Sequence, residues 1–144
     1  MRSRRIRAGL LPAGAGSRAP AAALRGAAGT GTALRTAGII HAFAGSYEEA
    51  REYLKLGFKL GLGGAATWPQ AKRLRQVLPR LPLDAVVLET DSPDMAPAMH
   101  PHIRNSPVHL PAICRELATL FAVEPEVLAT ASSGNAAALF GWRN

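Results

Sequence analysis

Ala85-Val86-Val87-Leu88-Glu89-Thr90-Asp91-Ser92-Pro93 is the stretch on which the fold turns. A short aliphatic and β-branched run climbs into an acidic tip and stops at a proline. Such a run reads as a fully buried strand that delivers Glu89 and Asp91 to one end of a sheet. Proline cannot continue the ladder, so the chain turns there. In a strand, residues two apart share a face, which points Glu89 and Asp91 the same way. The C-terminal tip of a buried parallel strand is where α/β barrels place catalytic and metal-binding groups. Asp-Ser-Pro is equally good turn chemistry, so a capping role for Asp91 stays open.

Upstream, Ala37–Phe43 reads as a short buried strand with His41 near its C-terminal end. Ser46 is a natural N-cap, and Glu49 three residues on completes a capping box for a helix over Tyr47–Leu56, closed by Gly57. Phe58–Leu62 is the next strand. It runs into Gly63-Gly64, where the backbone can approach a neighbour closely. A second helix is expected from Pro69 to about Leu78, and the third strand over Leu83–Glu89. The order β-α-β-α-β implies parallel strands with right-handed crossovers. All three strand ends then point the same way, gathering His41, Gly63-Gly64 and Asp91 at one edge.

Downstream, Asp94–Pro107 is expected to be a long loop carrying His100, His102, Arg104 and Asn105, and loops on that face carry substrate contacts. Two helices follow, about Val108–Phe121 and Glu124–Phe140. The second is opened by Pro125 and is expected to be interrupted at Ser132-Ser133-Gly134-Asn135. Gly141 ends it, with Trp142 packing back on the exterior.

The chain has 144 residues, enough for one ordinary domain, but short of the roughly 250 of a complete (β/α)8 barrel. No run of 18 apolar residues suggests a membrane span. The single cysteine, Cys114, cannot form an internal disulfide, which suits a reducing, cytoplasmic compartment and excludes a cysteine-rich zinc module. Net charge is +7, yet residues 1–36 hold seven arginines and no acid, while the remainder balances ten basic against ten acidic side chains. Residues 1–36 are rich in Arg, Ala and Gly, with too much Gly and Pro for a stable helix. Three readings stand for this stretch: a targeting segment, a basic arm on a nucleic-acid backbone, or an altered, mis-framed start. Each expects poor order. The domain proper is 37–144.

His41 and Asp91 at neighbouring strand tips are the best candidates for a divalent metal site, since imidazole nitrogen and carboxylate oxygen suit Zn, Mn or Mg. A catalytic metal takes about three protein ligands. His100 and His102 are the candidates for a third.

His41-Ala42-Phe43-Ala44-Gly45-Ser46 resembles the HxFxG(S) motif of the TatD-type metal-dependent hydrolases. The resemblance continues through Gly57-Phe58, Gly63-Gly64, Glu89-Thr90-Asp91-Ser92-Pro93, Arg104-Asn105-Ser106-Pro107, and Asn135 with Leu139-Phe140-Gly141. It implies the last three parallel strands and C-terminal helices of a TIM-type α/β barrel. It also implies a divalent-metal phosphodiesterase, usually a deoxyribonuclease. By the same resemblance His41 is a metal ligand, Asp91 binds metal and handles the attacking water, and Arg104 contacts a substrate phosphate. Glu89 and Asn105 are read as structural.

This sequence departs from the family pattern in two ways. No histidine precedes His41 and no Asp or Glu precedes Glu48, so the family's earlier ligands are absent. His102 stands where the family more often has glycine. The first expectation is a metal-dependent nuclease completed by self-association or a complementing chain. The second is a catalytically inactive family remnant, and the third a basic-arm nucleic-acid-binding protein. A barrel short of several β/α units is also expected to leave open sheet edges.

Overall fold

A computed structural model describes residues 38–142. The arginine-rich stretch 1–36 lies outside the described residues. Three parallel strands lie side by side in sequence order: β1 (Ile39–Ile40), β2 (Lys59–Leu62) and β3 (Val86–Leu88). Ile40 stands opposite Leu60, and Leu62 opposite Leu88. The strands are shorter than their apolar runs. Leu83–Ala85, expected as strand, forms a 3-10 turn leading into β3. Beyond the ladders, Phe43 N–H still donates to Gly61 C=O and Glu89 N–H to Leu62 C=O, so β2 guides both neighbours to their tips.

Helix α1 (Tyr47–Lys55) begins as its sequence dictates. Ser46 Oγ accepts from Glu49 N–H, and the Glu49 carboxylate accepts from Ser46 N–H at 2.7 Å. A capping box of this kind is worth about 1 kcal/mol. Helix α2 (Lys72–Val77) starts three residues later than Pro69 suggested. Trp68-Pro69-Gln70 is spent in a turn closed by Ala71 N–H on Trp68 C=O.

Helix α3 (Leu110–Phe121) and helix α4 (Pro125–Phe140) complete the fold. Leu60, Leu62, Leu78, Ile113, Leu117 and Leu128 are fully buried in one cluster, joined by Cys114. Each such leucine or isoleucine contributes about 2 kcal/mol by leaving water. No helix among the described residues is long and apolar enough to cross a membrane.

Two expectations fail at α4. The Ser132–Asn135 run does not interrupt the helix, which is continuous to its left-handed cap at Gly141. Ser132 and Asn135 face β3 instead, while Ser133 is exposed. Ser132 Oγ accepts from Leu88 N–H at 2.8 Å, and Asn135 Nδ2 donates to Leu83 and Val86 C=O, both at 2.8 Å. Since Glu89 N–H points to β2, Leu88 N–H and Val86 C=O point away from it, to the outer edge. That edge is sealed by side chains of α4 rather than left open. Trp142 does not pack back either: it stacks on Phe140 with ring centroids 4.9 Å apart, and both rings are exposed.

Candidate metal centre

The parallel sheet brings the C-terminal ends of β1 and β3 together on either side of β2. His41 follows β1 directly, and its exposed ring stands with Nδ1 3.3 Å from Asp91 Oδ1. Glu89 follows β3, and its Oε1 accepts Ala42 N–H at 2.5 Å. One ligand atom from each of His41, Glu89 and Asp91 lies within 4.8 Å of the other two. Glu89, read from the sequence as structural, is therefore also the third donor of the cluster. His100 and His102 do not join it. The His100 ring stacks on His109 at 4.4 Å, and His102 is exposed.

Strand alternation alone does not build this cluster. Asp91 lies past the strand with φ +56°, and Ala42 beside His41 has φ +48°. Both are left-handed, a conformation that costs an ordinary L-residue about 1 kcal/mol and concentrates at functional sites. Two glycines make the room. A Cβ on Gly61 would come within 2.6 Å of Glu89 Cδ, and one on Gly63 would press on Glu89 C=O and Asp91 Oδ2 at 3.1 and 3.3 Å. The close approach expected at Gly63-Gly64 is present at Gly63, and Gly61, inside the strand, makes a second one.

The electrostatics are those of a site short of positive charge. Burial holds the Glu89 carboxyl above its ordinary range, with Asp91 pushing the same way. The Ala42 N–H and His41 pull against them. Asp91 Oδ2 is buried with no hydrogen-bond partner. A buried carboxylate oxygen without a partner is costly and uncommon in a native fold. One imidazole nitrogen and two carboxylates suit a hard or borderline divalent cation, which would satisfy that oxygen. The residues present fit the group.

Asn105, taken from the sequence as a loop-holding residue, does hold the loop. It is 2% exposed and its Nδ2 donates to Thr90, Asp94 and Met95 C=O. Arg104 is exposed and lines an open cleft of about 400 Å³ with Ser92, Pro93, Ser106 and Pro107, beside the Asp91 turn. His102 has φ +61°, a left-handed backbone that glycine adopts without steric cost.

Known proteins resemble this chain over most of its length. The family model described as TatD related DNase matches residues 21–141, entering the arginine-rich stretch as far as residue 21. An uncharacterized metal-dependent hydrolase of Haemophilus influenzae is 38% identical over 107 residues, covering 74% of this chain and 41% of that protein. The 3'-5' ssDNA/RNA exonuclease TatD of Rahnella sp. is 35% identical over 111 residues, covering 72% of this chain and 41% of that one. The crystal structure of YjjV, a TatD homologue from Escherichia coli, superposes with a TM-score of 0.71 at 34% identity, covering 75% of this chain and 42% of that chain. The chain thus spans about two fifths of the length of the curated relatives it matches. With a family model matched over residues 21–141 and a parallel α/β fold that superposes on a family structure, the chain belongs to the TatD-related DNase family and forms an α/β part of its TIM-type barrel.

Proposed function

We propose that this chain takes part in metal-dependent hydrolysis of a phosphodiester, with single-stranded DNA as the first substrate to test. The observation that carries the reading is the partnerless, buried Asp91 Oδ2 inside a His-Glu-Asp cluster. His41 and Asp91 hold the cation, with Glu89 as the third donor in reach. A bound divalent cation supplies Lewis acidity and lowers the pKa of its water to about 7. Asp91 has one oxygen beside His41 Nδ1 and the other without a hydrogen-bond partner, so its carboxylate can hold the cation and take up a proton from water. Glu89 fixes the His41 turn through Ala42 N–H. Arg104, on the rim of the adjoining cleft, meets a substrate phosphate. The family's description as DNases and the name of the Rahnella relative support a nucleic-acid substrate. The lone cysteine, Cys114, buried at α3, is in keeping with a cytoplasmic setting.

A second reading has support of its own: the isolated chain binds a cation but does not turn over. Among the described residues only His41, Glu89 and Asp91 gather as donors, which suits cation binding without by itself supplying the rest of a hydrolytic site. The deciding experiment is Mn2+- or Mg2+-dependent cleavage of single-stranded DNA by the purified chain and by Asp91→Ala. Cleavage lost to chelator and to the substitution upholds the hydrolase. Equal background from both proteins leaves the second reading.

A further inference from the structure

Asp91 sits in a left-handed conformation that costs an L-residue about 1 kcal/mol, so contacts that hold the turn matter to it. One buried side chain makes such contacts. Asn105 Nδ2 donates to Thr90 C=O at 2.5 Å, on the near side of Asp91, and to Asp94 C=O at 2.7 Å, on the far side. Asn105 N–H donates to Pro93 C=O at 2.9 Å. The turn itself closes by Asp94 N–H on Asp91 C=O at 3.0 Å. Asn105 therefore spans the residue whose carboxylate faces His41.

The orientation of that amide is also fixed. Three carbonyls surround Nδ2, and Oδ1 accepts Ser106 N–H at 2.9 Å, so the nitrogen must face the Asp91 turn. His109 Nδ1 lies 3.0 Å from the same Oδ1. An amide oxygen only accepts, so His109 Nδ1 carries the proton and donates it there. The His109 ring is in turn held by stacking on His100 at 4.4 Å. His100 and His109, which the metal cluster does not use, thus support the residue that shapes it.

We infer that Asn105 is a positioning residue for Asp91, holding it in the left-handed turn that aims its carboxylate at His41 and Glu89, with His109 locking the Asn105 amide. The inference rests on the metal reading only for its consequence, since the grip on the turn exists without a cation. Removing a residue that orients a ligand costs about 10- to 100-fold in metal affinity.

Asn135 provides a matched control. Among the described residues it is the other asparagine whose Nδ2 donates to more than one carbonyl, but at the opposite end of β3. The test uses the full-length chain with Asn105→Ala, Asn135→Ala and His109→Phe, the last keeping the stack but losing the N–H. Two quantities are measured: Mn2+ affinity by electron paramagnetic resonance titration, and amide exchange at Asp94 in chelator-treated protein. Asn105→Ala should weaken Mn2+ binding about 10- to 100-fold and speed Asp94 exchange. His109→Phe should do both to a smaller extent. Asn135→Ala should lower the thermal midpoint and leave both quantities at the wild-type level. Wild-type values in Asn105→Ala, or equal losses in Asn135→Ala, overturn the inference. Should Asn105→Ala fail to fold, unchanged Asp94 exchange in His109→Phe overturns it. A wild-type chain that binds no Mn2+ removes the metal reading alone, and Asp94 exchange then decides the role of Asn105.

Discussion

The two ends of β3 are built to opposite specifications. At its N-terminal end the backbone is ordinary and its carbonyls are met, with Asn135 Nδ2 bridging Leu83 and Val86 C=O. At its C-terminal end Asp91 is left-handed, its Oδ2 is buried without a partner, and the Glu89 carboxyl is pushed up by burial. Both ends are fixed by an asparagine, yet one serves cohesion and the other holds a strained turn. Strain and unmet polar atoms lower stability and persist where a function retains them. The contrast separates a stability end from a chemical end within one short strand.

The contrast breaks most sharply at Asp91. Asp91→Gly removes both the partnerless oxygen and the Cβ that disfavours φ +56°, a penalty of about 1 kcal/mol. Divalent-cation binding, followed by calorimetric titration, should disappear, while the thermal midpoint of the metal-free chain holds or rises. A fall in midpoint together with retained binding would mean that Asp91 is a capping residue.

The opposite end should respond the other way. Asn135→Ala leaves two carbonyls without their donor and should cost about 1–3 kcal/mol in urea unfolding, with cation binding intact. A loss below the error of the measurement would mean that α4 does not hold the edge of β3.

The smallest effect is the pH dependence of stability. Burial raises the Glu89 carboxyl in the folded chain, so protonation favours the fold. Its contribution is complete below the ordinary carboxylate value and is lost as pH rises through the raised one. With chelator present, urea stability should therefore decline over that window, and Glu89→Gln should flatten the decline. An identical slope in Glu89→Gln would assign the dependence to other groups.

Much of this was legible in the chain itself. The aliphatic run ending in Glu89-Thr90-Asp91-Ser92-Pro93 specified a buried strand and its acidic tip. The Ser46–Glu49 pair specified the start of α1, and the β-α-β-α-β order specified parallel strands with His41 and Asp91 on one edge. These features depend on short-range stereochemistry and on the period of apolar residues, which a sequence carries directly. The Ser132–Asn135 run misled because polar residues compete with a helix only when nothing else takes their hydrogen bonds. Here the outer edge of β3 takes them.

What tertiary structure alone decided was the make-up of the site. That Glu89 completes a cluster with His41 depends on Gly61 leaving space for its carboxylate beside β2. That His100 braces His109, rather than ligating, depends on how a fourteen-residue loop folds back onto Asn105. Glu89, Asn105 and His109 join His41 and Asp91 through close packing and loop closure. Those contacts are set by packing across the fold, and no local pattern in the chain encodes them.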